Sequence, residues 1–134
     1  MARDSRPKVL VIEDNEQNLY LMEFLLTRHN FEVALARDGR EGIAKAKTVN
    51  ADLILLDIQL PEMSGHDVAR AIRKDPRLAA VPIVAVTSYA MPGDREQALA
   101  AGCNGYIEKP INPDTFVTQL ETYLFSGMEP APPT

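Results

Sequence analysis

Short apolar runs alternate with segments of helical periodicity along most of the chain. The apolar runs predict five strands, at residues 8–12, 31–36, 52–57, 82–87 and 105–107. Apolar positions three or four residues apart predict helices at 16–29, 40–49, 65–74 and 93–101, and a fifth after Asn112. Asn112 and Pro113 suit the N-cap and the first turn of that last helix.

This alternation predicts an α/β fold. Continuous apolar strands are typical of a parallel sheet that helices cover on both faces, and right-handed crossovers make such a chain doubly wound. We therefore expect a doubly wound, five-stranded parallel sheet with five helices. If the strand order is 2-1-3-4-5, strands one and three flank the point where the order reverses, which is where such sheets bind ligands.

Acidic residues stand at the carboxyl ends of the first and third strands. Glu13 and Asp14 follow the first strand, and Asp57 ends the third. Burying a carboxylate is costly unless it is paired, and three carboxylates in one crevice repel each other unless a cation or proton intervenes. Oxygen ligands without histidine or thiolate select Mg²⁺ or Mn²⁺ over zinc, and Mg²⁺ readily shares its coordination sphere with phosphate oxygens. The acids therefore indicate a metal and phosphoryl site.

Two further polar residues lie at the same edge of the predicted sheet. Thr87 closes the fourth strand and offers a hydroxyl, and Lys109 follows the fifth strand and offers a cation suited to a phosphoryl oxygen. Each residue alone also has an ordinary explanation: Asp14 or Asn15 as a helix cap, Asp57 as a turn residue, Thr87 as a strand residue and Lys109 as a surface charge. Their convergence on one edge favours a functional site.

Composition narrows the class of protein. A length of 134 residues suits one domain, and we expect an N-terminal extension at 1–7, one folded domain at 8–125 and a disordered tail at 126–134. A net charge of −5 without a basic stripe argues against nucleic-acid binding. No apolar stretch approaches the roughly 20 residues of a membrane helix. The polar N-terminus lacks a secretory signal, and the single cysteine, Cys103, predicts a reducing, cytoplasmic setting.

Four segments of the chain resemble the receiver domains of bacterial two-component response regulators. They read VLVIEDNEQN, DLILLDIQLPEMSGHDVARAIR, VPIVAVTSYAMPGD and AAGCNGYIEKPI. The stretches IQLPEMSG and TSYAMPGDREQALAAG look like stand-alone cell-cycle receivers of the DivK type, and receivers attached to hybrid histidine kinases are nearly as similar. The resemblance covers about residues 8–125 and implies a flavodoxin-like receiver fold with the strand order 2-1-3-4-5.

The resemblance implies roles for the acidic residues. Asp57 is the implied phosphoacceptor. Asp14, Asp57 and the backbone carbonyl of Gln59 are the implied ligands of Mg²⁺, with Mn²⁺ as an alternative ion, and Glu13 would act in the outer shell of the metal. We also expect the side chains of Gln59 and Tyr89 to influence the lifetime of the phosphate by shaping water access.

The resemblance also implies how the site responds. Lys109 would pair with the phosphoryl group, the Thr87 hydroxyl would move onto it, and Tyr106 would turn inward behind Thr87. The Lys109–Pro110 bond resembles the cis peptide of the family, and proline lowers the penalty for the cis form to about 0.5–1 kcal/mol.

The implied function is that of a phosphoacceptor signalling domain, not an enzyme with a separate substrate, although it would assist its own phosphorylation and dephosphorylation. A histidine kinase or a histidine phosphotransfer protein would supply the phosphoryl group. We expect no nucleic-acid partner, no membrane insertion, and a monomer or weak homodimer. Receivers of hybrid kinase systems suggest an alternative role as a phosphorelay intermediate or phosphate sink.

Because no output domain follows residue 125, we expect the signal to pass to a target protein. The target would bind the face made by helix four, strand five and helix five. Tyr89, Ala90, Met91 and Ala98 are apolar candidates for that surface.

Three other functions compete with this one. A haloacid-dehalogenase-like phosphatase needs a second acid two residues after its nucleophile, where this chain has Gln59. A flavodoxin-like cofactor module needs a Ser/Thr/Gly-rich phosphate loop after the first strand, where this chain has EDNEQN. A purely structural partner-binding domain stays open, and phosphate labelling separates it from a working receiver.

Overall fold

The computed structural model describes residues 6–88 and 91–124. Its elements are, in chain order, β1 (Lys8–Ile12), α1 (Glu16–Arg28), β2 (Glu32–Ala36), α2 (Gly39–Ala46), β3 (Leu53–Asp57), α3 (Gly65–Arg73), a short 3-10 helix (Pro76–Leu78), β4 (Ile83–Thr87), α4 (Asp94–Ala101), β5 (Gly105–Glu108) and α5 (Phe116–Leu124). Every predicted strand and helix is present, whereas the 3-10 helix was not predicted. The predicted tail at 126–134 lies outside the described residues.

The strands form one parallel sheet in the order β2-β1-β3-β4-β5. This confirms the predicted doubly wound α/β architecture. In the register of β1 and β3, Ile12 pairs with Leu56. The residues that follow these two, Glu13 and Asp57, therefore lie at the same level of the sheet. The register of β3 and β4 sets Asp57 opposite Val86, one residue before Thr87. The topology therefore carries these polar residues to one edge of the sheet.

Two apolar layers cover the sheet, one on each face. On one face α1 and α5 bury large side chains against alternate strand residues, among them Leu19, Met22, Leu26, Phe116 and Leu120. On the other face α2, α3 and α4 contribute many small residues, including Ala46, Ala69, Ala98 and Ala101. Residues 9–12 of β1 and 53–56 of β3 are all apolar and buried because helices cover both faces of these strands.

The N-terminus of α3 packs tightly beneath the loop that follows Asp57. Ser64 caps this helix, and the N–H of Gly65 donates to the carbonyl oxygen of Ile58 at 3.0 Å. A Cβ atom on Gly65 would lie 2.6 Å from the Asp57 carbonyl oxygen and 2.6 Å from the Ile58 Cα. Both contacts are with backbone, which yields at a higher cost than a flexible side chain, so this approach favours glycine. The packing fixes the path of the chain after Asp57.

The segment between β5 and α5 contains the predicted cis proline peptide and a turn at Asn112, the residue predicted to cap the helix. The Lys109–Pro110 peptide is cis, as the family resemblance implied. The Asn112 side chain accepts a hydrogen bond from the N–H of Asp114, and its carbonyl accepts one from the N–H of Phe116, both at 2.9 Å. Asn112 therefore closes the turn that leads into α5, which itself begins at Phe116. Within the described residues, no helix combines the length and apolarity that a membrane crossing requires.

Candidate metal and phosphoryl site

Three carboxylates meet at the carboxyl edge of β1 and β3. One oxygen each from Glu13, Asp14 and Asp57 lies within 4.8 Å of the others. The Glu13 and Asp57 side chains are buried, at 0% and 3% exposure, whereas Asp14 is exposed. Strands from separate parts of the chain thus bring the predicted acids into one cluster that is open to solvent at Asp14.

The start of α1 shows which residue serves as the helix cap. The Asn15 side chain accepts a hydrogen bond from the N–H of Asn18 at 2.9 Å, and its own N–H donates to Glu13 Oε2 at 3.1 Å. Asn15, not Asp14, is therefore the N-cap of α1. This removes the structural explanation for Asp14 and fixes the orientation of the Glu13 carboxylate.

Lys109 supplies the cation of the cluster. Its Nζ lies 2.9 Å from Glu13 Oε1 and 3.5 Å from Asp57 Oδ2, and its side chain is 10% exposed. The backbone N–H of Lys109 donates to the Thr87 carbonyl oxygen at 2.8 Å, which ties the start of the loop after β5 to β4. One ammonium group shared by two buried carboxylates leaves an excess of negative charge.

The protonation of Glu13 reflects this excess. The pKa of Glu13 is raised to about 7. Burial is the largest cause and the negative charge of Asp57 adds to it, while Lys109 and the Asn15 N–H oppose the shift. A buried carboxylate near a second carboxylate holds its proton unless a cation takes its place. The cluster is therefore suited to exchange that proton for a metal ion.

The donor set fits a hard divalent cation. All three acids offer oxygen atoms, and the cluster contains no histidine or cysteine, which matches the preference of Mg²⁺ or Mn²⁺. The acids face an open cavity of about 430 Å³. Its other lining residues are Asn15, Glu16, Asn18, Gln59, Ser88 and Lys109. The cavity is large enough to admit a hydrated cation and phosphoryl oxygens.

Gln59 links Asp57 to the end of β4 through its backbone and its side chain. Its backbone N–H donates to Asp57 Oδ1 at 3.0 Å, its Nε2 donates to Thr87 Oγ1 at 2.6 Å, and its Oε1 accepts from the Ser88 N–H at 3.0 Å. Thr87 is buried at 1% exposure. Sequence reasoning placed Gln59 and Thr87 at this edge but did not predict the contact between them.

Tyr106 lies on β5, where it pairs with Ala85 of β4. Its side chain is half-buried against the apolar layer of α2, α3 and α4, and its hydroxyl oxygen is buried. Burial raises the pKa of the Tyr106 phenol, and the nearby acids Asp94 and Glu108 raise it further. Tyr106 therefore lies on the strand that pairs with β4, the strand that ends at Thr87.

The predicted apolar surface of α4 needs a correction. Met91 is exposed at 65%, but Ala98 is fully buried and faces the sheet. The large apolar residue that α4 exposes is Leu99, at 48%, which was not among the predicted residues. Ala98 instead belongs to the apolar layer of α2, α3 and α4. Tyr89 and Ala90 lie outside the described residues.

Comparison with known proteins agrees with this geometry. Residues 9–121 match the model of the response regulator receiver domain. The chain is 40% identical over 116 residues to the polar-differentiation response regulators DivK of Brucella ovis and of Brucella abortus, a match covering 87% of this chain and 94% of each relative.

Solved structures show the same fold. The chemotaxis protein CheY4 of Vibrio cholerae superposes with a TM-score of 0.85 at 30% identity, covering 88% of this chain and 98% of CheY4. The receiver domain of the sensor histidine kinase PA1611 from Pseudomonas aeruginosa PAO1, which has a magnesium ion coordinated in its active-site cleft, gives 0.82 at 34% identity, covering 89% and 98%. The fold is therefore the CheY-like flavodoxin fold, and the chain belongs to the response regulator receiver domain family of two-component signalling.

Proposed function

We propose that this receiver accepts a phosphoryl group on Asp57 from the phosphohistidine of a histidine kinase or a histidine phosphotransfer protein. One observation carries the proposal: Asp57 is buried at the sheet edge with Glu13 and Asp14 beside it and Lys109 Nζ at 3.5 Å. A carboxylate so placed has a cation to receive the incoming charge and an open cavity through which a donor can approach.

The same acids support a magnesium site. Asp14, Asp57 and the backbone carbonyl of Gln59 would hold the ion, and Glu13 would act through water in its outer shell. The ion would neutralise charge on the transferred phosphoryl oxygens, which is the main assistance that proteins give to phosphoryl transfer. The ion in the cleft of the similar PA1611 receiver supports this assignment.

The residues of this chain have distinct tasks in the transfer. An Asp57 oxygen forms the new bond to phosphorus while the bond from phosphorus to the donor imidazole nitrogen breaks, and that nitrogen keeps the electron pair. The Gln59 N–H, 3.0 Å from Asp57 Oδ1, holds the carboxylate in one orientation. Lys109 donates to a phosphoryl oxygen and stabilises the charge that arrives with it. The same groups would assist hydrolysis when water replaces the imidazole.

Phosphorylation would then change the face made by α4, β5 and α5. The aspartyl phosphate places a group of about 1.5–2 negative charges where the Asp57 carboxylate carried a single one. Thr87 and Lys109 would turn to it, and Tyr106 would follow Thr87. A target protein would bind the phosphorylated form through this face, where Met91 and Leu99 are exposed. We place this exchange in the cytoplasm, the reducing setting that the free thiol of Cys103 favours.

Phosphotransfer from a purified phosphohistidine donor tests the proposal. We expect Mg²⁺-dependent labelling of the wild-type protein and none of Asp57→Asn, with circular dichroism showing that the variant is folded. The matched control is Asp114→Asn, at an exposed aspartate in the turn before α5, and it should be labelled like the wild type. Equal labelling of Asp57→Asn, or undiminished labelling in excess chelator, would contradict the proposal.

A second role follows the same chemistry. The similarity to the receiver of the PA1611 sensor kinase favours a phosphorelay intermediate or phosphate sink as the alternative to target binding. Rapid return of the label from Asp57 to an unphosphorylated histidine phosphotransfer protein would support that role. Phosphorylation-dependent capture of a target without such return would support the first.

A further inference from the structure

Gln59 bridges the loop after β3 and the end of β4 in a way that the proposed chemistry does not require. Its side-chain Nε2 donates to Thr87 Oγ1 at 2.6 Å, and its Oε1 accepts from the Ser88 N–H at 3.0 Å. Its backbone N–H is bonded to Asp57 Oδ1. A single half-buried residue therefore contacts the proposed phosphoacceptor and two successive residues at the carboxyl end of β4.

The hydrogen-bond chemistry fixes the orientation of the Gln59 amide. The Ser88 backbone nitrogen can only donate, so it must face Oε1, because a flipped amide would set two donors against each other. Nε2 then faces Thr87, and the Thr87 oxygen must accept. Both bonds are directional, and they help to hold the Thr87 hydroxyl and the Ser88 backbone in place in the unphosphorylated protein.

We infer that Gln59 is a positioning residue that holds Thr87 and Ser88 in their unphosphorylated arrangement, and that its side-chain bonds are released when Thr87 turns to a phosphoryl group on Asp57. This inference rests on the proposed function. The backbone of Gln59 is anchored through Asp57, whereas its side chain is bonded to β4. Movement of Thr87 and Ser88 relative to Asp57 therefore lengthens bonds that Gln59 alone provides.

The energetic consequence has a definite sign. Bonds that exist only in the unphosphorylated arrangement stabilise it and oppose the switch, so removing them favours binding of a phosphoryl group. Two bonds of ordinary net strength predict a gain of about tenfold in affinity for a phosphoryl analogue, equivalent to about 1.4 kcal/mol. Loss of a merely structural contact would weaken binding or leave it unchanged.

The test compares Gln59→Met with the wild type, because methionine keeps the length of the side chain but cannot form either bond. Beryllium fluoride, a tetrahedral phosphoryl mimic that binds carboxylates, is titrated at a Mg²⁺ concentration that saturates each protein. We expect Gln59→Met to bind it about tenfold more tightly. The matched control, Gln17→Met on the exposed surface of α1, should bind like the wild type.

Amide hydrogen exchange gives an independent measurement on the same samples. The Ser88 amide of the wild type should be protected without beryllium fluoride and lose protection when it binds, and in Gln59→Met it should be unprotected throughout. Equal or weaker binding by Gln59→Met, or Ser88 protection that persists in the complex, would overturn the inference. Absence of Mg²⁺-dependent binding in the wild type would instead overturn the proposed function, and this role of Gln59 with it.

Discussion

The interior of β3 and its carboxyl end are buried alike but have opposite chemistry. Leu53, Ile54, Leu55 and Leu56 are 0–1% exposed among apolar neighbours, and Asp57, the next residue, is 3% exposed beside charged ones. Apolar burial stabilises a fold by about 25 cal/mol per Å². Burial of a charge is costly unless partners compensate for it.

The compensation at the carboxyl end is incomplete. Lys109 contacts both Glu13 and Asp57, and the pKa of Glu13 is raised because one ammonium group does not offset burial and the second carboxylate. Perturbed carboxylates of this kind are concentrated at functional sites. The interior of β3 therefore stabilises the fold, whereas its last residue, Asp57, lowers the stability, and a bound cation can restore it.

The largest effect should come from the interior. Leu55→Ala, at a 1% exposed position, should lower the free energy of unfolding by about 2–5 kcal/mol because it leaves a cavity. Urea denaturation measures this loss. The matched control Leu99→Ala, at an exposed position of α4, should cost much less. Folded Leu55→Ala should still be labelled on Asp57. A folded variant without labelling would contradict the view that the interior of β3 serves stability and its carboxyl end serves phosphotransfer.

The charged edge should make stability depend on pH. The pKa of Glu13 is raised from 4.5 to about 7, so between these pH values the folded protein binds more protons than the unfolded chain. Stability of the metal-free protein should therefore fall as pH rises through this window, by up to about 3 kcal/mol.

Urea denaturation in chelator, at a series of pH values, measures the slope. Glu13→Gln cannot titrate and should flatten this part of the profile, and saturating Mg²⁺ should restore stability to the wild type above pH 7. A wild-type profile that matches that of Glu13→Gln throughout the window would show that the Glu13 carboxylate carries no such cost.

Two glycines allow the same change to be made at the edge and in the interior. A Cβ on Gly65 would meet the backbone of Asp57 and Ile58, and one on Gly42 would lie 2.5 Å from Ile12 Cδ1, a side-chain atom. Each Gly→Ala substitution should cost about 1–3 kcal/mol through overpacking. Only Gly65→Ala should also weaken Mg²⁺ binding, because it displaces Asp57. Isothermal titration measures this difference, and equal Mg²⁺ affinities in the two variants would contradict it.

Cys103 should give the smallest effect. Burial raises the pKa of its thiol to about 11. Burial also raises the pKa of Glu13, but Cys103 lies in the apolar interior, away from the charged edge of the sheet. Cys103→Ala should cost about 1 kcal/mol and leave Mg²⁺ affinity unchanged. The folded wild-type thiol should react with iodoacetamide far more slowly than the unfolded one. Rapid modification of the folded protein would show that this part of the interior opens readily.

The sheet could be predicted because its strands are continuous apolar runs and their carboxyl ends carry the polar residues. The α4 surface could not be predicted in the same way. Its sequence DREQALAA has one large apolar residue, Leu99, and that residue faces outward while Ala98 and Ala101 pack inward. Small residues signal burial weakly, so the periodicity did not reveal the inner face.

The candidate site could also be predicted only in part. Because parallel strands end at one edge of the sheet, the sequence was enough to group five residues there: Glu13, Asp14, Asp57, Thr87 and Lys109. The bonds from the Gln59 side chain to Thr87 and Ser88 could not, because they depend on the register of β3 and β4 and on a side-chain rotamer. Sequence pattern sets the edge at which a residue lies, whereas tertiary packing sets what it touches.

The most direct test of the central claim is a crystal structure of the protein with Mn²⁺ and beryllium fluoride, using anomalous scattering to locate the metal. We expect an anomalous peak between the carboxylates of Asp14 and Asp57, and beryllium fluoride on an Asp57 oxygen within reach of Lys109. A metal bound away from these carboxylates, or an Asp57 side chain without beryllium fluoride at saturating concentration, would contradict it.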